Sequence, residues 1–122
     1  MQKKYRIGEI AALTEKIRKF RDERDWKQFH NHKDMAISLV LEATEVLEHF
    51  QWRTPEEGEE RARSHKEELA DELADVTYFL FELADNLKID LGKALISKLE
   101  KNVTKYPIEK SKGKNLKYTE LK

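Results

Sequence analysis

The sequence predicts an all-α protein, and three observations lead to that class. Four glycines and two prolines in 122 residues leave few positions for tight turns. Charged residues make up 39% of the chain, and Leu, Ala, Glu and Lys are frequent beside sparse β-branched residues. Apolar residues recur every three or four positions along several stretches. We expect residues 1–122 to form one domain, with an N-terminal extension over about 1–8 and a C-terminal tail over about 107–122.

Charge and hydropathy argue against two classes of partner. The 24 basic and 24 acidic residues cancel, so the chain lacks the net positive field typical of a nucleic-acid binder. No apolar run approaches the roughly 18 residues that a membrane-spanning helix needs. Cysteine is absent and the first residues carry no signal-peptide pattern. We therefore expect a cytoplasmic protein that binds neither nucleic acid nor membrane.

The first half of the chain predicts two helices joined by a loop. The first helix is predicted from about Gly8 to Asp25, because apolar residues recur there with helical period. The following loop holds two aromatic residues and two histidines, so it either pins the connection to the core or stacks on a base. Asp34 is a plausible N-cap for a second helix that runs to about Phe50. Its predicted main apolar stripe is Ile37, Val40, Ala43, Thr44 and Leu47.

The second half predicts two further long helices. Thr54 and Pro55 begin a highly charged segment that is either a short separate helix or the exposed start of the third long one, with Ser64 as a second potential cap. From Leu69 a strong stripe follows: Leu69, Leu73, Val76, Leu80, Leu83 and Leu87. A fourth helix is expected over about 91–103, with Leu91, Leu95, Ile96 and Leu99 inside. Pro107 ends any continuation, and composition predicts a disordered or loosely docked tail over 109–122.

Two acidic pairs are the strongest chemical signal in the chain. Glu42 and Glu45 are three residues apart on the second helix, and Glu72 and Asp75 are three apart on the third. This spacing lets each pair direct both carboxylates to one point. Two such helices in contact could hold a divalent cation, since hard cations such as Mg²⁺ prefer oxygen ligands.

Other interpretations of these residues stay open at this point. Many charged helices carry acidic pairs on a solvated surface by chance. A di-iron bundle is less favoured, because such sites use Glu-x-x-His pairs and neither pair here has a histidine at that spacing. His49 could ligate a softer metal or cap the end of its helix. His65 lies in the charged segment and is expected to be solvated.

An ordered set of motifs gives a family resemblance. The motifs are Glu23-Arg24-Asp25-Trp26-x-Gln28-Phe29-His30, Glu42-x-x-Glu45-x-x-Glu48-x-Phe50-Gln51-Trp52, Glu72-Leu73-Ala74-Asp75-Val76, Ile89-Asp90-Leu91, Lys98-x-x-x-Asn102, Lys105-Tyr106-Pro107 and the tail from Glu109 to Leu121. With these motifs the chain resembles the MazG-like, all-α nucleoside triphosphate pyrophosphohydrolases, and within them the small dCTP pyrophosphatase branch. The likeness covers nearly the whole chain from about Ile10.

The resemblance implies a fold, an activity and a set of site residues. It implies a MazG-like four-helix bundle that assembles into an oligomer, a homotetramer rather than a dimer. The implied reaction is hydrolysis of a nucleoside triphosphate to the monophosphate and pyrophosphate, as housecleaning of the nucleotide pool. Glu42, Glu45, Glu72 and Asp75 would be the catalytic, metal-binding residues for Mg²⁺, with Mn²⁺ as a substitute. The substrate-binding residues would be Trp26, Phe29, His30 and Trp52 around the base, together with Phe79. Near the phosphates they would be Lys98, Asn102, Lys110, Lys117 and Tyr118.

Two departures from the family pattern bear on the base preference. Phe79 stands where the dCTP branch often has tyrosine, and His49 stands where an apolar residue is usual. We expect dCTP or a modified dCTP as the substrate. The alternative is a non-catalytic helical module with the same fold that binds a nucleotide or a partner, and the complete set of four acidic residues favours the enzyme.

Overall fold

In the described part of the chain, every regular element is a helix, which confirms the predicted all-α class. The computed structural model describes residues 2–122, with side chains from Gly8 onward. Met1, the first residue of the predicted N-terminal extension, lies outside this range. The elements are α1 (Gln2–Glu23), a 3₁₀ turn (Lys27–Phe29), α2 (His32–Glu48), α3 (Pro55–Ser64), α4 (Lys66–Asn86), α5 (Leu91–Lys105), α6 (Ile108–Ser111) and a 3₁₀ turn (Tyr118–Glu120). Within the described range, no helix combines the length and the apolar character needed to cross a bilayer.

The chain divides into two compact units, Met1–Ile89 and Asp90–Lys122. In the first unit, α4 is the shared element: it packs most extensively against α2 and also contacts α1 and α3. The second unit consists of α5, α6 and the C-terminal 3₁₀ turn. The expectation of a single domain stays a prediction.

The helix ends follow local capping chemistry, with two corrections to the predictions. Thr54 and Glu57 form the predicted capping box, and α3 is a separate short helix. Asn31, not Asp34, caps α2, because its Oδ1 accepts from the Asp34 backbone N–H at 2.9 Å and so starts the helix earlier. Ser64 does not cap α4, because its hydroxyl donates to the Arg61 carbonyl at 3.3 Å.

The side of α2 that faces the rest of the chain differs from the predicted one. The predicted stripe is largely exposed: Ile37 is 48%, Val40 61% and Leu47 62% accessible. Met35 and His49 are buried instead, at 1% and 5%. The physical reason is that α4 covers a mixed face of α2 that contains polar as well as apolar side chains.

The same kind of correction applies to the later helices. On α4, Leu69 is buried and Val76 and Leu83 are half-buried. The other predicted core residues are exposed: Leu73 and Leu80 on α4, and Leu87 directly after it. On α5, Leu91 is half-buried, but the other predicted core residues, Leu95, Ile96 and Leu99, are exposed. The helical period therefore located the apolar faces of these helices. It did not show which of those faces are buried within this chain.

The C-terminal tail is structured and docked on its own unit rather than disordered. Tyr118 packs edge-on against Tyr106, with 6.0 Å between ring centroids. The Lys105 ammonium lies 4.8 Å from the centroid of the Tyr118 ring, within cation–π distance. These contacts return the tail to the end of α5.

A buried ionic network joins α1, the loop before α2, and α4. Glu82 has no accessible surface, and its Oε2 lies 2.7 Å from His30 Nδ1 and 3.5 Å from Arg21 Nη1. Asn86 accepts from Arg21 at 3.3 Å and donates to the His30 carbonyl at 3.4 Å. The Tyr78 hydroxyl is buried without a hydrogen bond among the described groups, and burial, then the charge of Glu82, raises the pKa of Tyr78 to about 12.

We predict that Arg21→Met is far more destabilising than Arg18→Met on the same helix. Removing Arg21 leaves the buried Glu82 carboxylate short of its cation, which typically costs about 3–5 kcal/mol. Arg18 pairs with Asp85 at 2.9 Å, but the two side chains are 43% and 28% exposed, and such pairs contribute about 0–1 kcal/mol. Urea unfolding at one fixed protein concentration measures both. Equal losses for the two variants would contradict the buried-charge account.

Candidate functional site

Three of the four predicted metal ligands come together where α2 meets α4. Glu42, Glu45 and Asp75 each offer a carboxylate oxygen, and these oxygens lie within 4.8 Å of one another. Glu42 and Glu45 share a face because they are three residues apart on α2, and α4 brings Asp75 opposite them. We call these three residues the acidic cluster. Glu42 is half-buried, whereas Glu45 and Asp75 are exposed.

The electrostatics of the acidic cluster disfavour a full complement of negative charge. Burial raises the pKa of Glu42, and the charges of Glu45, Asp75 and Glu72 raise it further. Among the described side chains, no lysine, arginine or histidine forms an ion pair with a member of the acidic cluster. The cluster is therefore short of positive charge.

Glu72, the fourth predicted ligand, lies beside the acidic cluster but faces a histidine. Its Oε2 is 2.5 Å from His49 Nε2, and the side chain is 23% exposed. Its charge still contributes to the raised pKa of Glu42. The structure thus brings Glu72 into the same electrostatic neighbourhood while one of its oxygens is directed at His49.

The donor set fits a hard divalent cation. Every group that converges in the acidic cluster is a carboxylate, the ligand type that Mg²⁺ and Mn²⁺ prefer. Neither nitrogen of His49 is directed to the cluster, since Nδ1 accepts from Arg61 Nε at 3.1 Å and Nε2 approaches Glu72. This arrangement disfavours the alternative in which His49 ligates a softer metal.

Aromatic side chains extend from the first loop towards α4. Trp26 is 41% exposed and packs edge-on against Phe20 at 5.7 Å between centroids. Its centroid is 6.3 Å from that of His30. Phe20 also contacts Tyr78, which in turn packs against Phe79 at 5.0 Å. Trp26, His30 and Phe79, three of the predicted substrate-binding residues, are therefore linked through one chain of ring contacts.

Phe29 and Trp52 are presented to solvent. Phe29 is 62% and Trp52 93% exposed. Trp52 has a φ of +66°, a left-handed conformation that is unfavourable for a bulky residue. The Arg53 guanidinium holds the turn by donating to the His49 carbonyl at 2.7 Å. A large aromatic side chain kept exposed on a strained turn is more typical of a binding group than of a packing anchor.

His30 has a fixed orientation that sequence patterns did not indicate. Its Nδ1 donates to the buried Glu82 carboxylate, so Nε2 is the nitrogen left for other partners. Glu82 was missed as a functional candidate, yet a signal was present. It continues the line of Glu72, Asp75 and Phe79 along α4 at three- and four-residue spacing.

The remaining predicted substrate-binding residues all belong to the second unit. Lys98 is exposed and Asn102 half-buried on α5. Lys110 lies on α6, and Lys117 precedes the last 3₁₀ turn. Tyr118 is 46% exposed with its ring against Tyr106. Their predicted contacts with phosphates remain predictions.

An apolar groove of about 520 Å³ lies between α1 and α4. It is lined by Leu13, Lys16, Ile17, Phe20, Ala74, Thr77, Tyr78 and Phe81. Phe20 and Tyr78 also belong to the chain of ring contacts that links Trp26 with Phe79. The groove therefore adjoins the predicted base-binding residues of the first loop.

Comparison with known proteins gives consistent matches. The model of the MazG-like family matches residues 37–121. The dCTP pyrophosphatase 1 proteins of Rattus norvegicus and Homo sapiens are 41% and 39% identical to the chain over 104 residues, which are 84% of this chain and 61% of each relative. The chain thus spans about three fifths of the length of these curated relatives.

A solved structure agrees with the fold. The crystal structure of a pyrophosphatase from Archaeoglobus fulgidus DSM 4304 superposes with a TM-score of 0.78 at 39% sequence identity. The match covers 81% of this chain and 93% of that chain. The similarity therefore extends over most of both chains.

We predict that Glu42→Gln stabilises the metal-free protein at neutral pH. Because the folded-state pKa of Glu42 is raised, the folded protein binds more protons than the unfolded chain above the ordinary pKa of 4.5. The favourable contribution of Glu42 to the free energy of unfolding is complete below that pH. It is lost as the pH rises through the pKa of Glu42 in the folded protein. Thermal unfolding in chelator from pH 4 to 8 should show the Tm of Glu42→Gln exceeding that of the parent increasingly with pH. A constant difference would contradict this account.

Proposed function

The chain belongs to the MazG-like family, and on that premise we propose that it hydrolyses a nucleoside triphosphate to the monophosphate and pyrophosphate in a Mg²⁺-dependent reaction. The observation that carries the proposal is the acidic cluster, in which Glu42, Glu45 and Asp75 converge without a cationic partner among the described side chains. The dCTP pyrophosphatase 1 relatives support the reaction class, and a triphosphate with bound cations would supply the missing positive charge.

The acidic cluster and Glu72 are proposed to hold the cation. Mg²⁺ bound there would polarise phosphoryl oxygens and offset the charge that develops as the α–β phosphoanhydride bond breaks. The carboxylates of the chain contribute by fixing where that charge is neutralised, because α2 and α4 hold them in place before substrate arrives. Because these carboxylates repel one another, a bound cation would lower their electrostatic free energy more than it would that of an isolated carboxylate.

The base is proposed to bind among Trp26, Phe29, His30, Trp52 and Phe79. Trp52 offers an almost fully exposed indole face, and an aromatic face stacks on any base. His30 is held by Glu82 through Nδ1, so its Nε2 can accept a hydrogen bond from an amino or hydroxyl group. The name of the curated relatives makes dCTP, or a modified dCTP, the substrate that we propose.

The residues of the second unit are proposed to contact the phosphates. Lys98, Lys110 and Lys117 offer positive charge to phosphate oxygens, and Asn102 and Tyr118 offer neutral hydrogen-bond donors. The docked tail supports the proposal, because a tail held by Tyr106 and Lys105 presents these groups at lower entropic cost.

Assembly into a homo-oligomer, a tetramer rather than a dimer, is also proposed. Ile37, Val40 and Leu47 form an exposed apolar face on α2. Such a face is typical of surfaces that a second copy covers. A second copy that covered this face would bury the predicted apolar stripe of α2 in an interface between chains.

We predict that the full chain releases pyrophosphate from dCTP or a modified dCTP in the presence of Mg²⁺, with little release from other nucleotides in a panel. Asp75→Asn should lower turnover by at least about 100-fold, because it removes a ligand charge at unchanged volume. Asp71→Asn is the matched control: it makes the same change on the same helix at an exposed position outside the acidic cluster. Pyrophosphate is measured with and without chelator.

Several outcomes would decide against the proposal. Asp75→Asn with activity within about threefold of the parent would remove Asp75 from the site. Nucleotide binding without pyrophosphate release from any of the panel would favour the non-catalytic binding module instead.

We predict that Trp52→Ala raises KM roughly ten- to a hundredfold with a smaller change in kcat. Stacking on an aromatic ring contributes about 1–3 kcal/mol per base and acts about equally in the ground and transition states. Because Trp52 is 93% exposed, its removal should leave the unfolding midpoint unchanged, so the effect on KM is not confounded by misfolding. Steady-state kinetics and thermal unfolding check both points, and an unchanged KM would place the base elsewhere.

A further inference from the structure

His49 is buried at the C-terminal end of α2, where only 5% of its surface is accessible. Its Nδ1 accepts a hydrogen bond from Arg61 Nε at 3.1 Å. An imidazole that accepts at Nδ1 is neutral and carries its proton on Nε2. That second nitrogen lies 2.5 Å from Glu72 Oε2. Arg61 on α3 thus sets the tautomer of His49, and the Nε2–H of His49 lies next to Glu72 on α4.

Glu72 Oε2 has little else to interact with. The atom is buried, and no described group reaches it within hydrogen-bond geometry. The contact between His49 Nε2 and Glu72 Oε2 is short but is not aligned as a hydrogen bond. The imidazole is therefore the polar group nearest to an otherwise unsatisfied carboxylate oxygen, and an unsatisfied buried oxygen is costly.

Arg61 supplies the positive charge behind this contact. It is half-buried on α3, whose start is fixed by the Thr54 and Glu57 capping box. Its guanidinium donates to His49, so α3, the end of α2 and α4 each contribute one residue to a series of polar contacts. A role in packing alone would not require this series, since an apolar side chain could fill the same space.

We propose that His49, backed by Arg61, is a positioning residue that orients Glu72 as a cation ligand. The inference rests on the proposed function. A carboxylate restrained through one oxygen keeps its second oxygen for a metal, and its side chain loses less conformational freedom when the metal binds. His49 touches neither cation nor substrate in this role and acts through Glu72.

Metal affinity, measured directly on the full chain, tests the proposal. Mn²⁺ binding by calorimetry is compared for the parent, His49→Leu, His49→Gln, Arg61→Gln and Arg63→Gln. We expect His49→Leu and Arg61→Gln to weaken Mn²⁺ binding by about 10- to 100-fold, the usual effect of losing an outer partner of a ligand. His49→Gln retains an N–H donor and should recover most of the affinity.

Arg63→Gln is the matched control for Arg61→Gln. Arg63 lies on the same helix and pairs with Glu60 at 2.9 Å, but the two side chains are largely exposed, at 67% and 69%. Its loss should leave Mn²⁺ affinity unchanged. A purely structural role of His49 would instead lower the Tm of the metal-free protein and leave the Tm increase caused by Mn²⁺ as large as in the parent.

The outcomes separate this inference from the proposed function. Unchanged Mn²⁺ affinity in folded His49→Leu and Arg61→Gln, with pyrophosphate release by the parent intact, overturns the inference alone. A parent that binds Mn²⁺ but releases no pyrophosphate refutes the proposed function, and the affinities of the variants still decide on His49. A parent that binds no Mn²⁺, with or without dCTP, overturns both. If His49→Leu does not fold, the Mn²⁺ affinities of His49→Gln and Arg61→Gln decide the question.

Discussion

The structure depends on how one line of carboxylates along α4 is compensated. Glu72, Asp75 and Glu82 share this line, on which Glu82 is buried, Glu72 half-buried and Asp75 exposed. A carboxylate without a partner costs more free energy the more deeply it is buried. Glu82 is compensated within the chain by Arg21 and His30. Glu72 is approached by His49, and Asp75 meets the two carboxylates of α2 rather than a cation. One face of α4 therefore carries a compensated buried carboxylate at one end and, at the other, a member of the acidic cluster that meets no cation.

The compensated Glu82 and the uncompensated acidic cluster have opposite effects on stability. The buried Glu82 network fixes the approach of the first loop to α4, because it holds the side chain and, through Asn86, the backbone of His30. The acidic cluster has the opposite effect, since burial and then the charges of Glu45 and Asp75 raise the pKa of Glu42, which disfavours the charged form of Glu42 in the metal-free protein. Sites that are built to bind commonly carry such a cost, and a bound cation offsets it.

The large apolar side chains show the same contrast, because some pack within the chain and others stay exposed. Trp26 packs against Phe20, whereas Trp52 projects into solvent from a strained turn held by Arg53. The apolar face that includes Val40 is likewise left uncovered by this chain. Both exposures are energetically unfavourable in isolation, and the proposed base contact of Trp52 and the proposed assembly would cover them.

The sequence by itself determined the helices, several of their ends and the acidic pairs. Thr54 with Glu57 starts α3 as expected, and the three-residue spacing places Glu42 and Glu45 together, because capping and helical period act within one or two turns. Only the tertiary structure decided which faces meet. An apolar stripe has the same period whether its own chain or another copy covers it. The contact of Arg21 with Glu82 spans 61 residues, so it is set by packing geometry that no local pattern encodes.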